Sequence, residues 1–401
     1  VRPTPALEPL DVEMPSRLWV ERLTLTNFRN YPQLTLATGP EPQLLIGANG
    51  SGKTNLLEAI SLLGPGQGLR RAPFNELANA GGDGSWSIAA RVHTHAGAID
   101  IGTGVPAPVG DEERRSRIVR INGATAGGAG ALGEYVEIVW LTPAMDGLFA
   151  GPASERRRFL DRLIVCFDTS YRTRLSHFER AMQQRNRLLA DGVREGARFE
   201  GLELTMAETG TAIAAARAEA VAALASIMRE RQERDPGSPF PAADLALEGT
   251  LEAELERMAA VDVEADYAQV LRNSRERDRA AGRALEGPHR SDLLVFHAPK
   301  QMAAKLCSTG EQKALLVGLV LAHAELAARR RDGVAPLLLL DEITAHLDEI
   351  RRAALFAEIL RLKVQAWATG TDEQAFSALA GKARFWSVSE GSLASLFDAA
   401  G

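Results

Sequence analysis

Residues Leu44 to Thr54 read LLIGANGSGKT, an apolar strand entering a loop spaced G-x-x-x-x-G-K-T. A loop of this spacing turns its backbone N–H groups inward around phosphate oxygens. The helix expected from Lys53 to Leu63 adds the positive end of its dipole. Gly47, Gly50 and Gly52 supply conformations and close approaches that a Cβ would block. Ala48, Asn49, Ser51 and Asn55 complete the lining. Lys53 reaches the β- and γ-phosphates, and the Thr54 hydroxyl can ligate Mg²⁺, so ATP with Mg²⁺ is the expected cofactor.

The second half of that site lies far downstream. Pro336 opens PLLLLDE, in which Leu337 to Leu340 read as a buried strand of a parallel sheet. Asp341 and Glu342 stand at its C-terminal end, the edge where open α/β sheets bind ligands. Asp341 would hold Mg²⁺, directly or through water, and Glu342 would polarise the attacking water. A carboxylate here could also cap the next helix.

Just upstream, Ser308 to Gln312 read STGEQ, followed by KALLVGLVLAHAELAARR. Leu315, Leu316, Leu319, Val320 and Leu326 have helical spacing. Ser308 with Glu311 makes a capping box, so an ordinary helix start is one reading. A hydroxyl and a glycine at a helix N-terminus also suit a γ-phosphate.

With these elements in this order, ahead of Thr344-Ala-His-Leu-Asp-Glu349, the chain resembles the ABC-type ATPases. LTLTNFRNYPQLTL (Leu23 to Leu36), GPASERRRFLDRLI (Gly151 to Ile164) and EGPHRSDL (Glu286 to Leu293) narrow the resemblance to the RecF family of bacterial recombination mediators. The resemblance runs from about residue 17 onward, with a variable middle. It implies an ATPase that dimerises head to tail when ATP is bound. Lys53, Thr54 and Asp341 match nucleotide and metal positions, and Glu342 matches the catalytic glutamate. Ser308 and Gly310 match signature residues that contact the partner's γ-phosphate, and Asp348 an acidic residue across the seam. Arg29 matches a basic position that reaches nucleotide. The implied target is duplex DNA near single-strand gaps. RecR, with RecO, is the implied partner in loading RecA. The signature departs from the transporter form LSGGQ. No His occupies Thr369 to Asp372, where one often follows the sheet. Gln67 lies near the loop without being assignable as the glutamine between the halves.

Elements that could position these residues can be laid out. The fold class is α/β: an ABC-type P-loop ATPase lobe with antiparallel β pieces, plus an inserted, mainly helical lobe. A mobile tail is expected at 1–16. The N-terminal ATPase part covers 17–153, the helical lobe 154–285 and the C-terminal ATPase part 286–401. Segments 18–37, 42–63 and 86–105 read as strands around the phosphate-loop helix, with a further strand at Val364 to Thr369. Met206, Ile213, Ala220 and Ile227 repeat at coiled-coil spacing until Asp235-Pro-Gly-Ser-Pro-Phe-Pro241 ends the helix. This insertion is short and lacks paired cysteines, which argues against long tethering coiled coils and for a compact lobe beside the ATPase.

The chain has 401 residues, 45% hydrophobic and 24% charged, with formal net charge −6. DNA binding therefore requires local basic patches. Arg70 and Arg71, with Arg172 and Arg185 of the middle helices, are the favoured phosphate contacts. Arg114, Arg115, Arg117 and Arg120, and Arg156, Arg157, Arg158 and Arg162, form further clusters. A solvated face of scattered ion pairs is the alternative for each. Cys166 and Cys307 have no metal-ligand spacing and fit packing in a reducing cytoplasm. No apolar run looks long enough to span a membrane, and no membrane partner is expected. The competing function is the ATPase subunit of a membrane transporter, which shares every catalytic residue named.

Overall fold

The computed structural model describes residues 17–108, 116–345 and 347–397. The N-terminal tail, Arg114, Arg115 and His346 lie outside them. In chain order the strands are β1 (Trp19–Phe28), β2 (Tyr31–Ala37), β3 (Gln43–Ile46), β4 (Trp86–Thr94), β5 (Gly97–Val105), β6 (Ile118–Ile121), β7 (Ala124–Thr125), β8 (Ile138–Leu141), β9 (Ala243–Glu248), β10 (Asp292–His297), β11 (Met302–Ala303), β12 (Leu337–Leu340), β13 (Ala366–Gly370), β14 (Arg384–Ser389) and β15 (Ser392–Phe397). The helices are α1 (Lys53–Ser61), α2 (Ala153–Val165), α3 (Tyr171–Ala190), α4 (Ala197–Arg234), α5 (Thr250–Leu255), α6 (Ala260–Asn273), α7 (Arg275–Ala281), α8 (Thr309–Arg330) and α9 (Glu349–Arg361).

The central sheet has the order β15-β14-β3-β13-β12-β8. Its strands are parallel except β15. All four residues of β12 are buried. Alternation explains the unbroken LLLL run. Leu338 and Leu340 enter a core shared with α2, α4 and α8, while Leu337 and Leu339 enter one shared with α1 and the β1–β5 strands. A strand covered on both faces has no place for a polar alternate residue. The second face is covered by an antiparallel sheet, β2-β1-β4-β5-β6-β7. Strand β3 and strand β12 lie on either side of β13, so both ends of the chain complete one sheet and bring Lys53 near Asp341.

The middle is mainly helical, with one exception. Strand β9 lies inside the segment expected to be helical and pairs antiparallel with β10, whose other neighbour is β11. The boundary drawn between 285 and 286 therefore cuts between strands of one small sheet. Helix α4 spans 38 residues. Met206, Ile213, Ala220 and Ile227 are all buried along it. Helix α4 contains an 18-residue stretch of mean hydropathy 1.4, long and apolar enough by length and composition to cross a membrane, contrary to the reading from sequence. Half of that stretch is buried, and its buried apolar side chains belong to the core shared with α2, α3 and α8, while Leu204 of α4 is exposed.

Two of the family phrases meet in space. Arg156 of α2 forms a two-bond pair with Asp292 (2.8 and 2.7 Å), and Arg157 donates to the Ser291 carbonyl (2.6 Å). From α4, Arg217 pairs with Asp161 (2.9 and 3.0 Å) and donates to Ser291 Oγ (2.8 Å). RRRFLD and GPHRSDL are thus one joint, fixing α2 and α4 to the start of β10. Arg156 and Arg157, read as members of a basic patch, hold this joint. Arg117 is likewise internal, donating to the carbonyls of Gly64 (2.6 Å) and Gly66 (3.1 Å).

Arg185 corrects a further expectation. It is 0% exposed, and donates to Asp278 (2.7 Å), Glu203 (3.1 Å) and the Leu271 carbonyl (2.7 Å). A guanidinium enclosed this way cannot reach a DNA phosphate. Its periodicity marked it as off the apolar stripe of α3, but α4, α6 and α7 cover that side too. Arg185→Ala strands the buried Asp278 carboxylate and should cost about 3–5 kcal/mol of stability. Chemical denaturation checks this. A loss under about 1 kcal/mol, the range of an exposed pair, would reject the internal role.

Candidate functional site

The phosphate loop leaves β3 at Ile46 and enters α1 at Lys53. Two of its glycines are sterically required. Gly52 has φ +113°, and a Cβ there would lie 2.4 Å from Asn30 Nδ2 and 2.9 Å from the Tyr31 hydroxyl. A Cβ on Gly47 would lie 2.4 Å from the Val388 carbonyl oxygen of β14. Gly47 is therefore needed for packing against the sheet as well as for any ligand.

Lys53 is buried and donates to the carbonyls of Gly47 (2.6 Å) and Ala48 (2.8 Å). Burial holds its ammonium below the ordinary lysine range, partly offset by Glu342 and Asp341. Thr54 Oγ1 donates to Asp341 Oδ1 (2.9 Å), which also accepts from Thr369 Oγ1 (2.9 Å). Thr369 in turn accepts from the Glu342 N–H (2.7 Å). Asp341 is buried and Glu342 exposed. Thr369, near the end of β13 and the first residue of the stretch in which no His occurs, thus locks both acidic residues.

The segment Asn27 to Tyr31 braces the loop from outside. Tyr31 donates to the Gly52 carbonyl (3.0 Å), Asn30 to that of Ser51 (3.2 Å), and Asn55 to Asn30 Oδ1 (2.7 Å). Arg29 forms a two-bond pair with the buried Glu58 of α1 (2.9 and 3.1 Å). Arg70 donates to Asn55 (2.7 Å) and lies 3.4 Å from Glu58. Asn30, Tyr31, Glu58 and Thr369 were not singled out from sequence as site residues. Asn30 and Tyr31 were legible only as part of a phrase, and Glu58 has no local signature.

Asn49, Gly50, Gly52, Lys53, Thr54, Asn55, Arg70 and Glu342 line a depression of about 100 Å³. Ligand pockets commonly hold about 300–1,000 Å³. The depression is thus one wall of a nucleotide site. Thr54 and Asp341 offer two hard oxygen ligands, a set that fits Mg²⁺ completed by phosphates and water.

Ser308 and Gly310 are not in that wall. Ser308 caps α8 by accepting from the Glu311 N–H (3.4 Å), and its own N–H donates to Glu311 Oε2 (3.0 Å). The Lys300 ammonium, then the Ser308 N–H, hold the Glu311 carboxyl at about 2. Arg351 donates to the Gly310 carbonyl (3.4 Å), and its N–H to Asp348 Oδ1 (2.8 Å). The signature and Asp348 therefore form one exposed edge. Gln67 and Arg71 face a different cavity, between the lobes, together with Arg172.

The comparisons agree with this arrangement. Residues 19–382 match the family described as RecF/RecN/SMC N terminal domain. The chain is 54% identical to the DNA replication and repair protein RecF of Mesorhizobium japonicum, over 96% of this chain and 100% of that one. It is 52% identical to the protein of the same name in Brucella abortus, over 94% and 97%. Its fold matches a structure of the recombination mediator protein RecF-ATPrS in the RecFOR pathway, with TM-score 0.82, 21% identity and coverage of 96% and 100%. An Smc head domain from Pyrococcus furiosus matches with TM-score 0.54 and 19% identity, covering 94% and 96%. These relatives do not favour the transporter reading. With its phosphate loop, its Asp341-Glu342 strand and its two joined phrases, the chain belongs to the RecF family of DNA replication and repair proteins.

Proposed function

We propose that this chain is an ATP-gated DNA-binding protein of recombinational repair, working as a head-to-tail homodimer. The observation that carries the reading is the division of the site. Lys53, Thr54, Asp341 and Glu342 form one open wall, whereas Ser308, Gly310 and Asp348 form a separate exposed edge. A second copy would set its edge over the wall and enclose the nucleotide. Bound Mg²⁺ would supply Lewis-acid polarisation of phosphate oxygens. Lys53 would exchange two loop carbonyls for phosphate oxygens, Thr54 and Asp341 would hold the metal, and Glu342 would orient the water. ATP thereby favours the dimer, and hydrolysis releases it. Turnover is slow and rises with DNA. The target is duplex DNA near single-strand gaps, and RecR, with RecO, is the partner in loading RecA. The RecF proteins at 52–54% identity, named for replication and repair, support this placement.

The test is steady-state ATP hydrolysis against protein concentration, with and without linear duplex DNA. A rate per subunit that climbs with both is expected. A rate indifferent to DNA would overturn the DNA-gated reading while leaving the ATPase. Ser308→Arg places a long cation on the exposed edge. ATP should then bind the monomer normally, while the ATP-induced dimer is lost in sedimentation. Loss of monomer ATP binding would show that Ser308 serves its own subunit's site.

A further inference from the structure

A cavity of about 530 Å³ lies between the ATPase lobe and helices α2 and α3. The Gly64–Gly68 turn after α1 and Trp140 of β8 line it. Arg71, Arg158, Arg162 and Arg172 all line it. None of these four arginines pairs with a carboxylate among the described residues. Arg158 donates to Ser154 Oγ (3.5 Å), Arg162 to Met145 Sδ (3.5 Å) and Arg172 to the Pro65 carbonyl (3.2 Å).

Arg162 is the anchor. Its guanidinium carbon stands 4.6 Å from the Trp140 ring centre and 5.4 Å from that of Phe159. Its Nε is buried without a hydrogen-bond partner. Stacking occupies the faces of the fork and leaves its edge free to donate. Burial, with the charge of Arg71 added, lowers the proton affinity of both Arg162 and Arg172.

The acidic residues in the lining do not balance this charge. Asp161 is bonded to Arg217 and Tyr171 (2.6 Å), and Glu137 pairs with Arg331. That leaves Glu179 on α3 against four arginines. Arg71, Arg158 and Arg172 are exposed and Arg162 is half-buried, so the four forks face the opening, where their like charges repel and a bound anion would relieve that repulsion. Planar forks match phosphate oxygens in pairs. A cavity of 530 Å³ has room for one nucleotide unit, and its lining includes apolar side chains, Val136, Ile138, Val165 and Leu175, that suit a base.

We propose that this cavity is a second phosphate site, distinct from the ATP loop, that takes a phosphate-bearing nucleotide unit. The unit is either a free nucleotide or the terminal nucleotide of a DNA strand, and both present the same chemistry to the arginines. The site is wired to the ATP loop. Arg71 faces the cavity, while the preceding residue, Arg70, bonds Asn55 at the start of α1. This coupling, though not the site itself, rests on the ATP reading above.

The test uses the full chain carrying Lys53→Ala, which silences the ATP loop. Two probes are titrated: dAMP, and a 5′-phosphorylated thymidine tetranucleotide labelled at its 3′ end, beside its unphosphorylated twin. Saturable binding at one probe per chain is expected. It should weaken about tenfold or more when Arg71→Ala and Arg172→Ala are added, from loss of charge-assisted contacts. Arg158→Ala, at an exposed position, should weaken it independently, and melting curves verify folding. Binding of both dAMP and the phosphorylated strand identifies a free-nucleotide site. Binding of the phosphorylated strand alone identifies a strand-end site. Equal affinity with and without the arginines, or no saturable binding of either probe, overturns the proposal. Failure of the phosphate-loop reading appears separately, as undiminished ATP affinity in Lys53→Ala.

Discussion

Lys53→Ala should weaken ATP binding by roughly thirty-fold or more. The ammonium is buried and held by two loop carbonyls, at 2.6 and 2.8 Å, with Asp341 and Glu342 near enough to act on its charge. Phosphate oxygens would take the place of those carbonyls without the charge leaving the loop. Removing one member of a buried, hydrogen-bonded charge pair costs about 2–5 kcal/mol, or roughly thirty-fold to several-thousand-fold in Kd. Titration with a fluorescent ATP analogue reads this directly. Lys53→Arg should fail as well, because a rigid fork cannot replace a compact ammonium between the two carbonyls. An unchanged Kd in the alanine variant would refute the phosphate-loop assignment.

Sequence revealed those features whose cause is local. The loop spacing, the Ser308–Glu311 capping box and the four-leucine strand follow from backbone geometry and burial within a few residues. Features with a distant cause were hidden. Strand β9 reads Ala-Asp-Leu-Ala-Leu-Glu, an alternating pattern, yet it is short, and its partner β10 lies more than forty residues on. Thr369 reads as the end of the strand at Val364 to Thr369 and as the start of a segment after the sheet; it lies within β13, and its bond to Asp341 needs β12 beside β13. The arginines were hardest. Arg71, Arg156, Arg172 and Arg185 look alike in sequence. Burial and the position of a carboxylate decide that Arg156 ties α2 to β10, Arg185 holds a core, and Arg71 and Arg172 face a cavity. Charge patterning carries no such distance information.

Glu342→Gln should trap the ATP-bound dimer. Glu342 follows β12 with φ +48°, a left-handed conformation uncommon for a residue with a side chain. Such a residue stores about 1–3 kcal/mol and persists only where its surroundings hold it. Here its N–H is fixed by Thr369 Oγ1, which also holds Asp341. The conformation leaves the Glu342 carboxylate exposed beside the phosphate loop, while Asp341 turns inward to Thr54. Neighbours in sequence thus have separate tasks. Glutamine keeps the shape of Glu342 but cannot act as a base, so turnover should fall about 10²–10⁴-fold. ATP binding should persist, because the metal ligands and Lys53 are untouched. Asp341→Asn should instead weaken Mg²⁺-dependent ATP binding itself. Hydrolysis rates with sedimentation at saturating ATP separate the two: a stable dimer with slow turnover for Glu342→Gln, and a monomer for Asp341→Asn. A monomeric Glu342→Gln variant, or one with unchanged turnover, would remove Glu342 from the catalytic role.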